Sequence, residues 1–173
     1  LSDRVGGAER KLKCTFSTTS EKEPGRLWVT REKDNDPAAL WDPCRAAHVP
    51  ANRDDYGEQT PVGTGPDLVV NAEIPEGAFV FSLYFVNDHN YYEANRYYTV
   101  SIADSRNRLL ALSDVRNFGG GVYKRFAVRG PLRLTVRIWR NRSINTLLSG
   151  VFLDRITPPS ELPDVLRSIT DEQ

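Results

Sequence analysis

Asn87, Asp88, His89, Asn90, Tyr91, Tyr92, Glu93 and Asn95 stand directly after an apolar run, in the stretch of this chain best equipped for chemistry. Asn87, Asp88, Asn90, Glu93 and Asn95 carry hard oxygen donors, the ligand type that calcium gathers in sets of about six to eight. The regular Asp-x-Asp-x-Asp-Gly spacing is missing, and Asn87, Asp88 and Glu93 form the candidate calcium set. The second chemistry is contact. A tyrosine offers a large, stiff surface with a polar tip. Asp88, His89, Asn90, Tyr91, Tyr92 and Glu93 are therefore candidate residues for meeting a ligand or a partner. The competing reading folds both rings inward as a lid over a strand end.

Trp139 is the next candidate. In "LRLTVRIW" (132–139) the alternation sends Leu132, Leu134, Val136 and Ile138 to one face and Arg133, Thr135, Arg137 and Trp139 to the other. An outward indole among guanidinium groups is a stacking platform for sugar rings or an anchor for a protein partner. The alternative is a cover supplied by the N-terminal segment.

Catalytic arrangements are poorly represented. His48 lies four residues after Cys44, and His89 is the only other imidazole; neither has a nucleophile or carboxylate at a recognised spacing. Asp54, Asp55 and Glu58 read as solvated loop acids. "FGGGVYKR" (118–125) places its glycines before a strand rather than a helix, so it reads as a tight turn or bulge beside another backbone, not a phosphate cradle. The basic stripe from Tyr123 to Arg142 is matched by an equally strong acidic segment, which argues against nucleic acid. No catalytic residue and no cofactor is expected.

These candidates need β-elements to position them. Short runs recur at 11–19, 26–32, 67–74, 78–86, 96–104, 109–115, 122–128, 132–139 and 147–156, separated by Gly, Pro, Asn and Asp turns. Turns are expected at Pro75-Glu76-Gly77 and at Gly130-Pro131. The run "AFVFSLYFV" is apolar at nearly every position, as a strand covered on both faces would be. Asp36-Pro37 predicts a short helix over 36–42, and Ser160 with Pro163 predicts a helical tail. The fold class is all-β, an antiparallel two-sheet sandwich of jelly-roll type. Residues 1–10 read as a loose leader, 11–157 as one domain and 158–173 as a tail.

Composition agrees with a globular domain: 173 residues, 39% hydrophobic, 27% charged and zero formal net charge. No run approaches the roughly 18 apolar residues of a membrane span. With no Met and no signal pattern at Leu1, the chain reads as a mature or excised piece of a longer product. Charge is unevenly spread. Residues 52–93 hold eight acids against Arg53, and 106–142 hold ten bases against Asp114. Either neighbouring strands pair these charges across outer sheet faces, or the surface is bipolar and docks a partner. Cys14 and Cys44 are too few for a four-thiolate zinc site; they form one disulfide or stay as buried thiols.

The segments "DDYGEQTPVGTGPDLVV", "SLYFVNDHNYYEANRYYTV", "DVRNFGGGVYKRFAVRGPLRLTVRI" and "NTLLSGVFLD" give residues 54–154 a resemblance to a module of large exported bacterial proteins, similar to galactose-binding and malectin-like jelly rolls. The resemblance implies a non-catalytic binding or attachment module with a periplasmic or extracellular address. Its partner would be carbohydrate; the alternative is an accessory subunit docking through protein contacts onto a larger envelope complex. Export would favour a Cys14–Cys44 disulfide.

Overall fold

The structure, a computed structural model, describes residues 12–19, 65–87 and 96–156 in full and six further short strands by backbone alone. In chain order the strands are β1 (Asp3–Val5), β2 (Lys13–Thr18), β3 (Trp28–Thr30), β4 (Trp41–Asp42), β5 (Ala47–His48), β6 (Asn52–Asp54), β7 (Leu68–Phe85), β8 (Tyr98–Asp104), β9 (Leu109–Val115), β10 (Val122–Trp139), β11 (Leu147–Leu148), β12 (Gly150–Arg155) and β13 (Arg167–Ile169). Every described element is a strand. The main sheet runs β1-β12-β7-β10-β8-β9, with β2 also pairing β7 and β13 also pairing β10. All its ladders are antiparallel except β1 with β12. Two small ladders, β11-β6-β3 and β4-β5, stand beside it.

Two 18-residue strands, β7 and β10, organise everything else. The expected turns at 75–77 and 130–131 are instead the middles of these strands. Gly77 stands opposite Gly130, and the register then slips so that Pro75 and Glu76 together face Pro131. That is a β-bulge, which bends the ribbon. A Cβ on Gly130 would fall onto the carbonyl oxygen of Pro75, and Gly77 has φ +126°, so this crossing needs both glycines. The Gly130–Pro131 bond is cis.

The bulge also sets which side chains face inward. A one-residue offset moves a strand's apolar set to the opposite face. On β7 the core positions are Leu68, Val70, Ala72 and Ile74 before the bulge and Phe79, Phe81, Leu83 and Phe85 after it. On β10 they stay in phase: Phe126, Val128, Leu134, Val136 and Ile138. Both halves of the ribbon thus turn their apolar sides to one core.

The bend brings the strand ends together. A straight β7 would put Leu68 and Phe85 roughly 55 Å apart. Tyr98 lies at the Leu68 end, since Val100 pairs with Ile138 and Ile138 with Leu68. Yet the Phe85 and Tyr98 rings are 6.2 Å apart, and Phe118 packs on Tyr98 at 5.4 Å. One sheet folded on itself therefore encloses the core, in place of the two separate sheets expected. Phe81 to Phe85 are buried without interruption, as the apolar run predicts.

Two helix expectations meet strands instead. Trp41–Asp42 pairs with Ala47–His48, and residues 36–40 lie outside the described residues. Arg167–Ile169 pairs with Ala127–Arg125 of β10, and 160–166 lie outside them. At 41–42 and 167–169 cross-strand pairing sets the local structure. Within the expected leader, Asp3–Val5 pairs with β12.

Candidate functional site

The outer face of the half-sheet β2-β7-β10-β8-β9 is built in rows, because paired residues point to the same side. The first row is Lys13, Glu73 and Arg133; the second is Thr15, Asn71, Thr135 and Ala103. Ser17, Val69, Arg137, Ser101 and Leu112 make the third. Trp139, Thr99 and Asp114 make the fourth. The distance from Arg133 to Trp139 along β10 is roughly 20 Å.

In the first row one carboxylate serves two cations. Glu73 Oε2 lies 3.5 Å from Lys13 Nζ and Oε1 lies 3.3 Å from Arg133 Nη2. In the second, Thr135 Oγ1 donates to Asn71 Oδ1 at 2.9 Å. Short side chains here leave a groove of about 690 Å³, walled by Lys13, Thr15, Glu73, Arg133, Thr135 and Ser105. Cys14, Ala72 and Leu134, whose side chains belong to the core, contribute to its floor.

The far end is aromatic. The Arg137 guanidinium lies 3.5 Å from the Trp139 ring centroid, and Trp139 Nε1 donates to Ser101 Oγ at 2.8 Å. Arg137 is itself held by Asp67, whose Oδ2 accepts from Nε at 2.7 Å and lies 2.6 Å from Nη2. Asp67 Oδ1 accepts the Arg140 backbone N–H at 2.8 Å. The indole is fixed at its nitrogen and on one face, and the residue remains 37% exposed. Beside it, Asn141 Nδ2 donates to Thr99 Oγ1 at 3.3 Å and Arg116 lies over the exposed Tyr97 ring at 5.3 Å.

Behind this end lies a buried polar cluster. Arg96 Nη1 donates to Asn87 Oδ1 at 2.6 Å and its Nε to Asn145 Oδ1 at 2.7 Å. Tyr98 Oη donates to the Asn145 carbonyl at 3.1 Å. Arg140, 1% exposed, donates from Nε to Ser143 O and from Nη2 to Ile144 O. Buried guanidinium groups are costly unless hydrogen-bonded. Here they pin the two residues flanking 88–95 to the 140–146 turn.

Of the residues predicted from sequence, Trp139 stands on the outward face with Arg133 and Arg137, as the alternation requires. Asn87 is buried, and its side-chain oxygen receives the Arg96 guanidinium rather than facing solvent. That is a poor setting for a dication. Asp88, His89, Asn90, Tyr91, Tyr92, Glu93 and Asn95 lie outside the described residues. So does Cys44; Cys14 is half-buried opposite Ala72. Lys124, counted in the basic stripe, is buried opposite Leu83. The glycine run ends in Gly121, and it is the Tyr84 phenol, not a backbone, that occupies the space a side chain there would need.

Sequence reasoning missed Thr15, Asn71 and Ser105 as groove residues, and Ser101 as the partner of Trp139. Their signal was the outward half of each alternating strand, which becomes a surface only once the strand order is known.

No family model matches the chain, and no curated protein does. Among solved structures it is similar to an exo-β-1,3-galactanase from Phanerochaete chrysosporium, crystallised with β-1,3-galactotriose, at 13% identity and TM-score 0.39. The match covers 81% of this chain and 27% of that one. At that identity and score the likeness assigns neither fold nor activity.

Proposed function

We propose that this chain is a non-catalytic binding module whose outer β2-β7-β10-β8-β9 face takes an extended carbohydrate. The carrying observation is the combination, on one face, of the groove with Trp139, which stands two rows beyond it along β10. Sugars present apolar ring faces and outward hydroxyls; an indole stacks on the former, and Thr15, Asn71, Ser101 and Thr135 match the latter. The Ser101 bond and the Arg137 stack hold the indole in place before a ligand arrives, which lowers the ordering cost of binding. An envelope or extracellular address is part of this reading and rests on the resemblance of residues 54–154.

Isothermal titration with a panel of oligosaccharides tests it. The expected result is saturable binding that Trp139→Ala weakens with little change in melting temperature. Binding unaffected by that substitution would contradict the assignment.

A second reading, an accessory subunit docking through protein contacts, draws on β9. This strand ends the sheet path and carries Leu109 and Leu112, 59% and 61% exposed. An end strand with apolar outward residues is a ready surface for pairing with another chain. Leu112→Lys would abolish such an association, as read by the size of the particle in solution.

A further inference from the structure

We infer that the Lys13/Arg133 end of the groove receives an anionic group, so that the carbohydrate is an acidic one, read in a fixed direction. This rests on the saccharide reading of the same face. The two ends differ in charge. At the Trp139 end, Arg137 is matched by Asp67 within a short, partly buried ion pair. At the opposite end two cations share the carboxylate of Glu73, which leaves one positive charge in excess among the described residues.

The β8–β9 turn reinforces the imbalance. Asp104 pairs with Leu134, so the turn continues past the groove wall at Ser105. It carries Arg106 and Arg108. Arg108 is bound to Asp104 at 3.1 Å, whereas Arg106 has no ion pair among the described residues.

The cations are also placed to be used. Lys13 and Arg133 side chains are 81% and 77% exposed. Arg133 commits Nη2 to Glu73, and a guanidinium has five N–H donors, so it retains capacity for a second oxyanion. Lys13 likewise has three donors on one flexible ammonium. A carboxylate or sulfate on the sugar meets both without displacing a desolvated partner. The hydroxyls of Thr15 and Ser105 line the same groove as donors to that group or its ring, and Thr135 Oγ1, whose proton goes to Asn71, remains an acceptor. Trp139 then takes a neutral ring face further along, which gives the ligand its polarity.

The experiment is titration with tri-galacturonate, with its fully methyl-esterified counterpart, and with a sulfated trisaccharide, at low and at high salt. The ester keeps the shape and removes the charge. The expected result is that an acidic probe binds about tenfold tighter than the ester, with the advantage shrinking as salt rises. Whichever of the carboxylate and sulfate probes binds tighter identifies the anion. Lys13→Gln with Arg133→Gln should bring acid and ester to equal affinity and leave melting unchanged, since both side chains are exposed; Arg133→Lys should keep part of the advantage. Equal affinity for acid and ester overturns the charge inference and leaves the saccharide reading standing. Binding of no probe at all overturns both.

Discussion

The guanidinium of Arg137 lies 3.5 Å from the Trp139 ring centroid, while the same side chain is bound by Asp67, the residue just before β7. A carboxylate on β7's leading edge thereby fixes an aromatic ring on β10. Such a stack contributes about 0.5–1 kcal/mol where exposed. Its larger effect is on ring orientation.

Trp139→Ala should consequently separate binding from stability. Removing a part-exposed ring should change unfolding free energy by no more than about 1 kcal/mol. Saccharide affinity should fall at least about tenfold, as for a central aromatic anchor. Denaturant unfolding and titration of the same preparation check both halves.

Asp67→Asn should do the reverse. Asp67 is buried and holds both Arg137 and the Arg140 backbone N–H. Loss of the carboxylate should cost about 1–3 kcal/mol in stability. It should also release Arg137, so that the affinity which remains is weaker than that of wild type.

Gly130→Ala tests the bend. The new methyl would collide with Pro75 O, and the backbone there cannot yield without shifting β7. A loss of roughly 1–3 kcal/mol is expected, as for overpacking elsewhere. Gly120→Ala, which meets nothing within 4 Å, is the control and should be nearly neutral. Equal effects would show that the crossing is looser than described.

Acid stability should report on Asp104. The Arg108 backbone N–H holds this carboxyl below its usual range; burial opposes the shift, and the Arg106 N–H and the Arg108 guanidinium add to it. A carboxyl depressed in the folded state contributes stability above its unfolded value, about 3.9, and loses it as pH falls through the folded value. The stability gap between wild type and Asp104→Asn should be constant near neutrality and narrow below about pH 4. Urea unfolding across pH reads this directly, and a gap that stays flat in acid would contradict it.

Part of this was legible in the chain itself. The alternation of 132–139 named the outward set of Arg133, Thr135, Arg137 and Trp139. The acidic and basic segments anticipated cross-strand pairing, realised as Glu73 with Arg133 and Asp67 with Arg137. The bend was not legible. Pro75-Glu76-Gly77 and Gly130-Pro131 have the composition of turns, and only their mutual pairing makes them a bulge within continuous strands. The groove was hidden for the same reason. Asn71 and Thr135 meet across 64 positions, and Ser101 and Trp139 across 38, so their neighbourhood follows from register rather than local pattern. The strands at 41–42 and 167–169 were not legible either, since they are set by pairing with 47–48 and with β10 rather than by the local signals at Asp36 and Ser160, which lie outside the described residues.

The claim that the outer half-sheet face binds saccharide is tested most directly by amide and indole chemical-shift mapping with an oligosaccharide that titration has shown to bind. The Trp139 indole N–H and the amides of Thr15, Asn71, Ser101 and Thr135 should shift together and saturate with one affinity. Shifts confined to β9 or to the opposite half of the sheet, with these five signals unmoved, would contradict it.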